Sequence, residues 1–184
     1  MIVRGIEEKD YEVFKRLFDE AFLEYLESLK QGNPRQYMRE LKERREITRS
    51  GFNFYIGIGS TFVAEENGEV DGYVASQRVP SMQGVDLWIE YIVIQKEFRR
   101  RGIGLSLLQK LIDYTVSSST DRTYAFINPD NEPSMRLHSE AGFNVEDWKI
   151  AVYETKGRFG IARGRSEKVR QAQTCYAHGA TEKY

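Results

Sequence analysis

The sequence predicts an α/β protein of the α+β mixed-sheet kind, with parallel and antiparallel strands in one sheet flanked by helices. Three observations carry this. A long amphipathic helical pattern follows a short first strand. The dipeptide Asn67-Gly68 separates two β-rich runs, the strongest short hairpin signal in the chain. Residues 88–104, WIEYIVIQKEFRRRGIG, then pass from a β-branched stretch through a basic turn into the helical pattern LSLLQKLIDYTV, and another strand pattern follows. A strand, helix and strand in that order imply a parallel pair joined by a right-handed crossover.

The elements follow in order. Ile2–Gly5 reads as a first strand. Residues 8–29 place Tyr11, Phe14, Phe18, Phe22, Tyr25 and Leu29 at steps of three and four, the spacing of one helix face. Gln31-Gly32-Asn33-Pro34 ends that helix, and Pro34 near the first position opens a second, more polar one over 34–48, with Tyr37, Leu41 and Ile47 inward. Strands are expected over 61–66, 70–79 and 85–95, a helix over 102–117, a strand over 123–127, a short helix over 131–141 and a last strand over 145–154. The order is β-α-α-β-β-β-α-β-α-β.

The junction at 99–104 has a physical meaning. A helix N-terminus presents backbone N–H groups without intrahelical partners, and its dipole favours negative charge. Gly102 and Gly104 allow an anion to approach the backbone, and Arg99, Arg100 and Arg101 add positive potential. Alone, such a loop also reads as an ordinary strand-to-helix connection with a solvated basic corner. Further on, Asn131-Glu-Pro-Ser134-Met-Arg-Leu137-His138-Ser-Glu-Ala-Gly142-Phe143 reads as a short helix closed by glycine and followed by an aromatic residue.

The pair of motifs, R-x-x-G-x-G after a strand and N-x-x-S-x-x-L-H-x-x-x-G-F, resembles the central and C-terminal motifs of the GNAT superfamily of N-acetyltransferases. The likeness is clearest over 85–145. A Rossmann dinucleotide site fits worse, because the third glycine of its fingerprint and its downstream acid are not evident. The resemblance implies a GNAT-like (acyl-CoA N-acyltransferase) fold in which strands 85–95 and 123–127 splay apart. It further implies that acetyl-CoA lies in the gap, with its pantetheine arm along the backbone of Ile92, Val93 and Ile94. The pyrophosphate would sit on the amides of Arg99, Arg100, Arg101, Gly102, Ile103 and Gly104, and Asn131 and Ser134 would stand near the arm. Asp130 or Asn131 reads equally as the N-cap of the short helix, a role compatible with that one.

Acyl transfer to an amine needs a base, because an alkylammonium has no lone pair to offer. Glu90 is the candidate: residues 88, 90 and 92 share one face of a regular strand, and apolar neighbours would raise a carboxylate pKa there. It reads equally as a solvated strand carboxylate, with a water relay as the base. An oxyanion calls for a backbone N–H, at Val93 or Ile94 if the strand bulges there. The departing thiolate needs a proton. Many GNAT enzymes supply it from a Tyr seven residues after the motif Asn, and here that position is His138. His138 is the candidate acid, or else a half-exposed helix residue.

Composition agrees with one globular domain: 184 residues, 40% hydrophobic and 30% charged. A formal net charge of −1 gives no general case for nucleic-acid binding. The single Cys175 cannot close an intrachain disulfide, which points to a reducing, cytoplasmic setting. No run reaches the roughly 20 apolar residues of a membrane span. No residue set suggests a metal, since Cys175 and His178 alone are too few. The domain is expected over 1–155. Residues 156–184 carry a net charge of +5 and sparse apolar residues, leaving −6 on the rest. They read as a loosely ordered tail or edge strand, or as a basic arm for an acidic partner.

The expected activity is transfer of acetyl from acetyl-CoA to a primary amine, on a small molecule or a peptide, by direct attack in a ternary complex. The acids of residues 8–29 would suit a cationic acceptor, though they read as well as a solvated face. The alternative from another class is a non-catalytic acyl-CoA-binding sensor, kept open by the missing Tyr. A homodimer is a further partner left open.

Overall fold

The computed structural model describes residues 1–42 and 46–146. The chain runs β1 (Ile2–Gly5), a 3-10 turn (Glu8–Asp10), α1 (Tyr11–Gly32), α2 (Pro34–Lys42), α3 (Arg49–Ile58), β2 (Phe62–Glu66) and β3 (Glu69–Pro80). It continues through β4 (Val85–Ile94), a second 3-10 turn (Lys96–Phe98), α4 (Ile103–Ser117), β5 (Arg122–Ala125) and α5 (Glu132–Glu140). The strands form one sheet of five in sequence order. Neighbours are antiparallel except β4 and β5, which run parallel across α4. The mixed sheet expected from the sequence is therefore present.

Alternation along the strands fills a core on each face of the sheet. On one face Phe14, Leu17, Phe52, Tyr55, Tyr73, Ala75 and Val93 pack under α1 and α3. Phe14 stacks on Tyr73 with ring centroids 4.1 Å apart and meets Phe52 edge-on at 5.3 Å. On the other, Val74, Leu87, Ile89, Ile103, Leu107, Leu108 and Leu111 pack beneath α4. The β2–β3 hairpin turns at Asn67 (φ 53) and Gly68 (φ 86), the left-handed pair that the Asn-Gly dipeptide favours.

Two departures from expectation matter for function. Of the helix expected over 34–48, Pro34–Lys42 is helical among the described residues, 46–48 are not, and Thr48 opens another helix instead. Thr48 has extended backbone and its hydroxyl accepts the Gly51 N–H at 3.1 Å, an N-cap for α3. Gly59, left-handed at φ 74, ends that helix. The second departure is in strand register. Ala75 pairs with Tyr91 but Ser76 pairs with Ile89, so Glu90 is an extra residue, a β-bulge in β4. Likewise Ala64 pairs with Gly72 and Glu65 with Val70, which makes Asp71 a bulge in β3. The strand expected over 145–154, the domain boundary at 155 and residues 156–184 lie outside the described residues, apart from 145 and 146.

Candidate active site

The β4–β5 ladder begins at Asp86–Arg122 and reaches Ile89–Ala125, while β4 continues to Ile94. The parallel pair thus opens at the C-terminal ends of its strands, where ligands enter open α/β sheets. Ile92, Val93 and Ile94 all lie on that length. Val93 is buried in the α1/α3 core, whereas Ile92 and Ile94 pack toward α4. The Ile94 carbonyl accepts Arg99 Nε at 3.1 Å, so one of the backbone acceptors expected for a pantetheine arm is already engaged. On the β3 side, a Cβ placed on Gly72 would stand 2.6 Å from the Val93 carbonyl oxygen and 2.8 Å from Ile94 Cδ1. Glycine there lets the two strands close on each other, and so fixes the backbone of this stretch.

The expected phosphate loop follows. Arg100 is left-handed at φ 62 and Gly102, at φ 80, is the N-cap of α4, so the chain reverses sharply before the helix. Ser106 N–H donates to the Gly102 carbonyl at 3.0 Å as the ordinary helical pattern begins. The amides from Gly102 through Leu105 precede it and have no intrahelical acceptor. A Cβ on Gly102 would meet nothing within 4 Å, so the approach is open. A cradle of turned-out amides in a basic loop, beside an unpaired strand edge, fits a pyrophosphate joined to an extended arm.

The arginines divide their work. Arg99, the side chain expected to be the foremost phosphate ligand, holds Glu24 of α1 with both Nη atoms, at 2.7 and 2.5 Å. That hydrogen bonding lowers the Glu24 pKa and raises that of Arg99. Arg101 lies over the Phe98 ring at 4.9 Å. Asp71, buried at its bulge with Oδ2 lacking a hydrogen-bond partner in the structure, is pushed up by burial and by Glu66 and Glu69, with Arg101 acting against them. Gly104 has a packing role as well: a Cβ there would stand 3.0 Å from Leu137 Cδ2, so glycine lets α5 seat against α4.

Glu90 sits at the bulge, one residue past the last β4–β5 pair. Trp88 is partnered in register with Gln77, and Tyr91 with Ala75 of the α1/α3 core. The shared face expected for residues 88, 90 and 92 does not hold, because the bulge inverts the alternation and sends Ile92 toward α4. Glu90 instead turns to α3, where Tyr55 Oη donates to Oε2 at 2.5 Å. Burial, then the Glu90 charge and its hydrogen bond, push the Tyr55 pKa far above the usual phenol value. The bulge falls at Glu90 rather than at Val93 or Ile94, where the oxyanion N–H was expected.

Around the opening stand aromatic rings. Tyr91 meets Phe18 of α1 edge-on at 5.2 Å. Trp88 and Tyr124 each meet Phe126 edge-on, at 6.1 and 5.8 Å.

The second motif forms α5. Asn131 is its N-cap, with Oδ1 accepting the Ser134 N–H at 3.1 Å, and Pro133 lies in the first turn. His138 is buried, 2% exposed. Its Nδ1 lies 2.8 Å from the Ser134 carbonyl oxygen, an acceptor that requires Nδ1 to carry the proton. Ser134 Oγ is a more distant neighbour at 3.5 Å, and Phe143 meets the ring edge-on at 5.2 Å. Burial lowers the His138 pKa, opposed by that hydrogen bond, so the ring is neutral at neutral pH and offers a lone pair at Nε2. A donor role toward a thiolate would require a second proton on this buried ring.

Sequence reading missed Tyr55 and Glu24 as partners of site residues. The signal for Tyr55 was present in Thr48 as a cap and in Phe52, Tyr55 and Ile56 at helical steps before Gly59. The Glu24–Arg99 contact spans 75 residues and has no local signature. Among the described residues no cluster of acidic, His or Cys side chains could hold a metal, and no helix is long and apolar enough to cross a membrane.

Comparison with known proteins gives a family match and a series of likenesses. Over 84 residues the chain is 34% identical to the L-methionine sulfoximine/L-methionine sulfone acetyltransferase of Salmonella typhimurium, covering 45% of this chain and 49% of that protein. Over 84 residues it is 33% identical to the L-amino acid N-acyltransferase MnaT of Escherichia coli, with the same coverage. It thus spans about half the length of these curated relatives. The fold is similar to that of the aminoglycoside N-acetyltransferase AAC(6')-Iy solved with CoA, at TM-score 0.62 and 15% identity, covering 85% of this chain and 100% of that one. The family model for the acetyltransferase (GNAT) family matches residues 14–143, which takes in α1, the splayed strand pair and the glycine loop. Most of the chain falls within that match, and it belongs to the GNAT acetyltransferase family.

Proposed function

We propose that the protein transfers an acyl group from acyl-CoA, acetyl-CoA first among donors, to a primary amine by direct attack in a ternary complex. The observation that carries this reading is the position of Glu90. The bulge places a carboxylate where the β4–β5 gap begins, on the strand whose far end leads into the α4 cradle. Acyl-CoA supplies a thioester-activated acyl carbon and a thiolate leaving group.

The chain's own groups have separate tasks. The amides of Gly102 to Leu105, with Arg100 and Arg101, bind the pyrophosphate, and the Glu90–Ile94 edge of β4 aligns the pantetheine arm. Glu90 takes the proton of the acceptor amine. Asn131 positions α5 beside the gap through its cap. The leaving thiolate takes its proton from solvent, and His138 locks α5 against Phe143. The acceptor is an amine on a compact body, approaching between α1 and the Trp88–Phe126 side. The amino-acid acetyltransferases among the relatives make free amino acids and methionine sulfone the first acceptors to try.

The test is calorimetric titration of acetyl-CoA, CoA and ATP, followed by thiol release with methionine sulfone, free amino acids, an aminoglycoside, spermidine and a short peptide. Micromolar acetyl-CoA binding with turnover on one amine is expected. Binding with no turnover on any of them would favour a sensor, and no binding of either CoA species would overturn the cradle at 99–104.

A further inference from the structure

We propose that Tyr55 is the positioning residue of the base: its hydroxyl holds Glu90 Oε2, so that Oε1 is the oxygen offered to the acceptor amine. This rests on Glu90 being the base. A residue at a bulge stands outside the regular ladder to β3, and at Glu90 the ladder to β5 has also ended. The backbone alone therefore restrains this side chain less than its neighbours. A glutamate has three side-chain torsions, and freezing them in a productive geometry needs a contact from elsewhere.

Tyr55 supplies that contact from a rigid position. It lies on the inward side of α3, 7% exposed, with Phe14 at 5.7 Å and Phe54 at 6.0 Å between ring centroids. The hydroxyl is 2.5 Å from Oε2, a length typical of a hydrogen bond to a charged acceptor. Its raised pKa keeps the phenol protonated, so it donates at every working pH and does not itself take the amine proton. Other titratable groups around the pair are Tyr91 on β4, Tyr73 on β3 and Asp19 on α1, with Tyr124 on β5 in register beside Trp88. Oε1 then accepts one proton from the attacking nitrogen, and Glu90 returns it to solvent after the turnover.

The experiment compares wild type, Tyr55→Phe, Glu90→Gln and the double variant. The first readout is the split between kcat and the KM values for acetyl-CoA and for the panel amine that turns over fastest. The second is the coupling of the two substitutions in kcat. Glu90→Gln should lower kcat about 100-fold. Tyr55→Phe should lower it roughly 10-fold and leave acetyl-CoA affinity and both KM values within about twofold. The double variant should be no slower than Glu90→Gln. An unchanged kcat in Tyr55→Phe, or losses that multiply in the double variant, would overturn the role of Tyr55 and leave the base in place. Full turnover in Glu90→Gln would overturn the base assignment, and the positioning role with it.

Discussion

His138 directs its one ring proton at the carbonyl of Ser134 in its own helix, and burial keeps that ring uncharged. The folded-state pKa lies below the ordinary value of 6.5, so protonation favours the unfolded chain. This contribution to stability is complete above about pH 6.5 and is lost as pH falls through the folded-state value. Denaturant unfolding at a series of pH values should show wild type weakening between about pH 7 and pH 5, and His138→Phe weakening less over the same range. With His138 in a packing role, His138→Asn should lower stability and keep kcat flat from about pH 6 to 9; a fall in kcat with stability retained would return it to the acid role. Asp10 behaves with the same sign at lower pH. Burial raises its pKa, but the Arg4 hydrogen bonds at 2.7 and 2.9 Å and the Glu7 amide at 2.8 Å outweigh that, so the net shift is downward. Its contribution is present above 3.8 and lost below it. Asp10→Asn, measured at neutral pH, should cost about 3 kcal/mol, since it breaks a largely buried pair that joins β1 to the turn before α1.

Between elements, the contact of α4 with α5 depends on one glycine. Gly104 meets Leu137 closely enough that a branched side chain must displace α5, and α5 carries the Asn131 cap. Gly104→Val should therefore lower the Tm by several degrees and weaken acetyl-CoA binding together, read by thermal unfolding and titration on the same sample. A loss of binding in Gly104→Glu would report packing as well as the anion site. At this scale the sequence was legible where signals are local. The Asn67-Gly68 turn, the amphipathic repeat of α1 and the glycine junction before α4 each declare themselves within a few residues. Glu90 and the glycine junction at 102–104 could be singled out as candidates for that reason. The bulge was not legible, because it is a count of residues against a partner strand rather than a property of β4. Nor was the preoccupation of Arg99, whose partner lies on α1. The start of α3 was legible in Thr48 but competed with a helical pattern that runs up to it from Pro34.

Across the whole molecule, the acidic face of α1 that would suit a cationic acceptor proves extensively paired. Asp10 holds Arg4, Glu20 pairs with Arg16, Glu24 with Arg99 and Glu27 with Lys30. Most of these pairs are exposed and stabilise little, but they mute the field at that wall. Under the proposed function, the acceptor would be selected more by shape and by the rings near Glu90. The cradle, the β4 edge and Glu90 all hang from one sheet shared by two cores, so a bound donor should steady the described fold as a unit. Saturation to about 100 times Kd should raise unfolding free energy by about 2.7 kcal/mol, visible as a concentration-dependent Tm, while ATP should give much less.

The bulge at Glu90 also limits how the strand can vary. It acts as a frame change in the alternation of β4: beyond it Tyr91 meets α1 and Val93 enters the α1/α3 core, while Leu87, Ile89, Ile92 and Ile94 pack toward α4. Straightening the strand with every residue kept would exchange the two sets beyond that point, driving side chains shaped for α1 toward α4, whereas removing the extra residue would leave both sets in place. Substitution at 90 leaves the frame untouched. The bulge is thus required by the packing of the residues that follow it, while the side chain at 90 is left free for the chemistry proposed for it, and a change of that side chain would spare the structure.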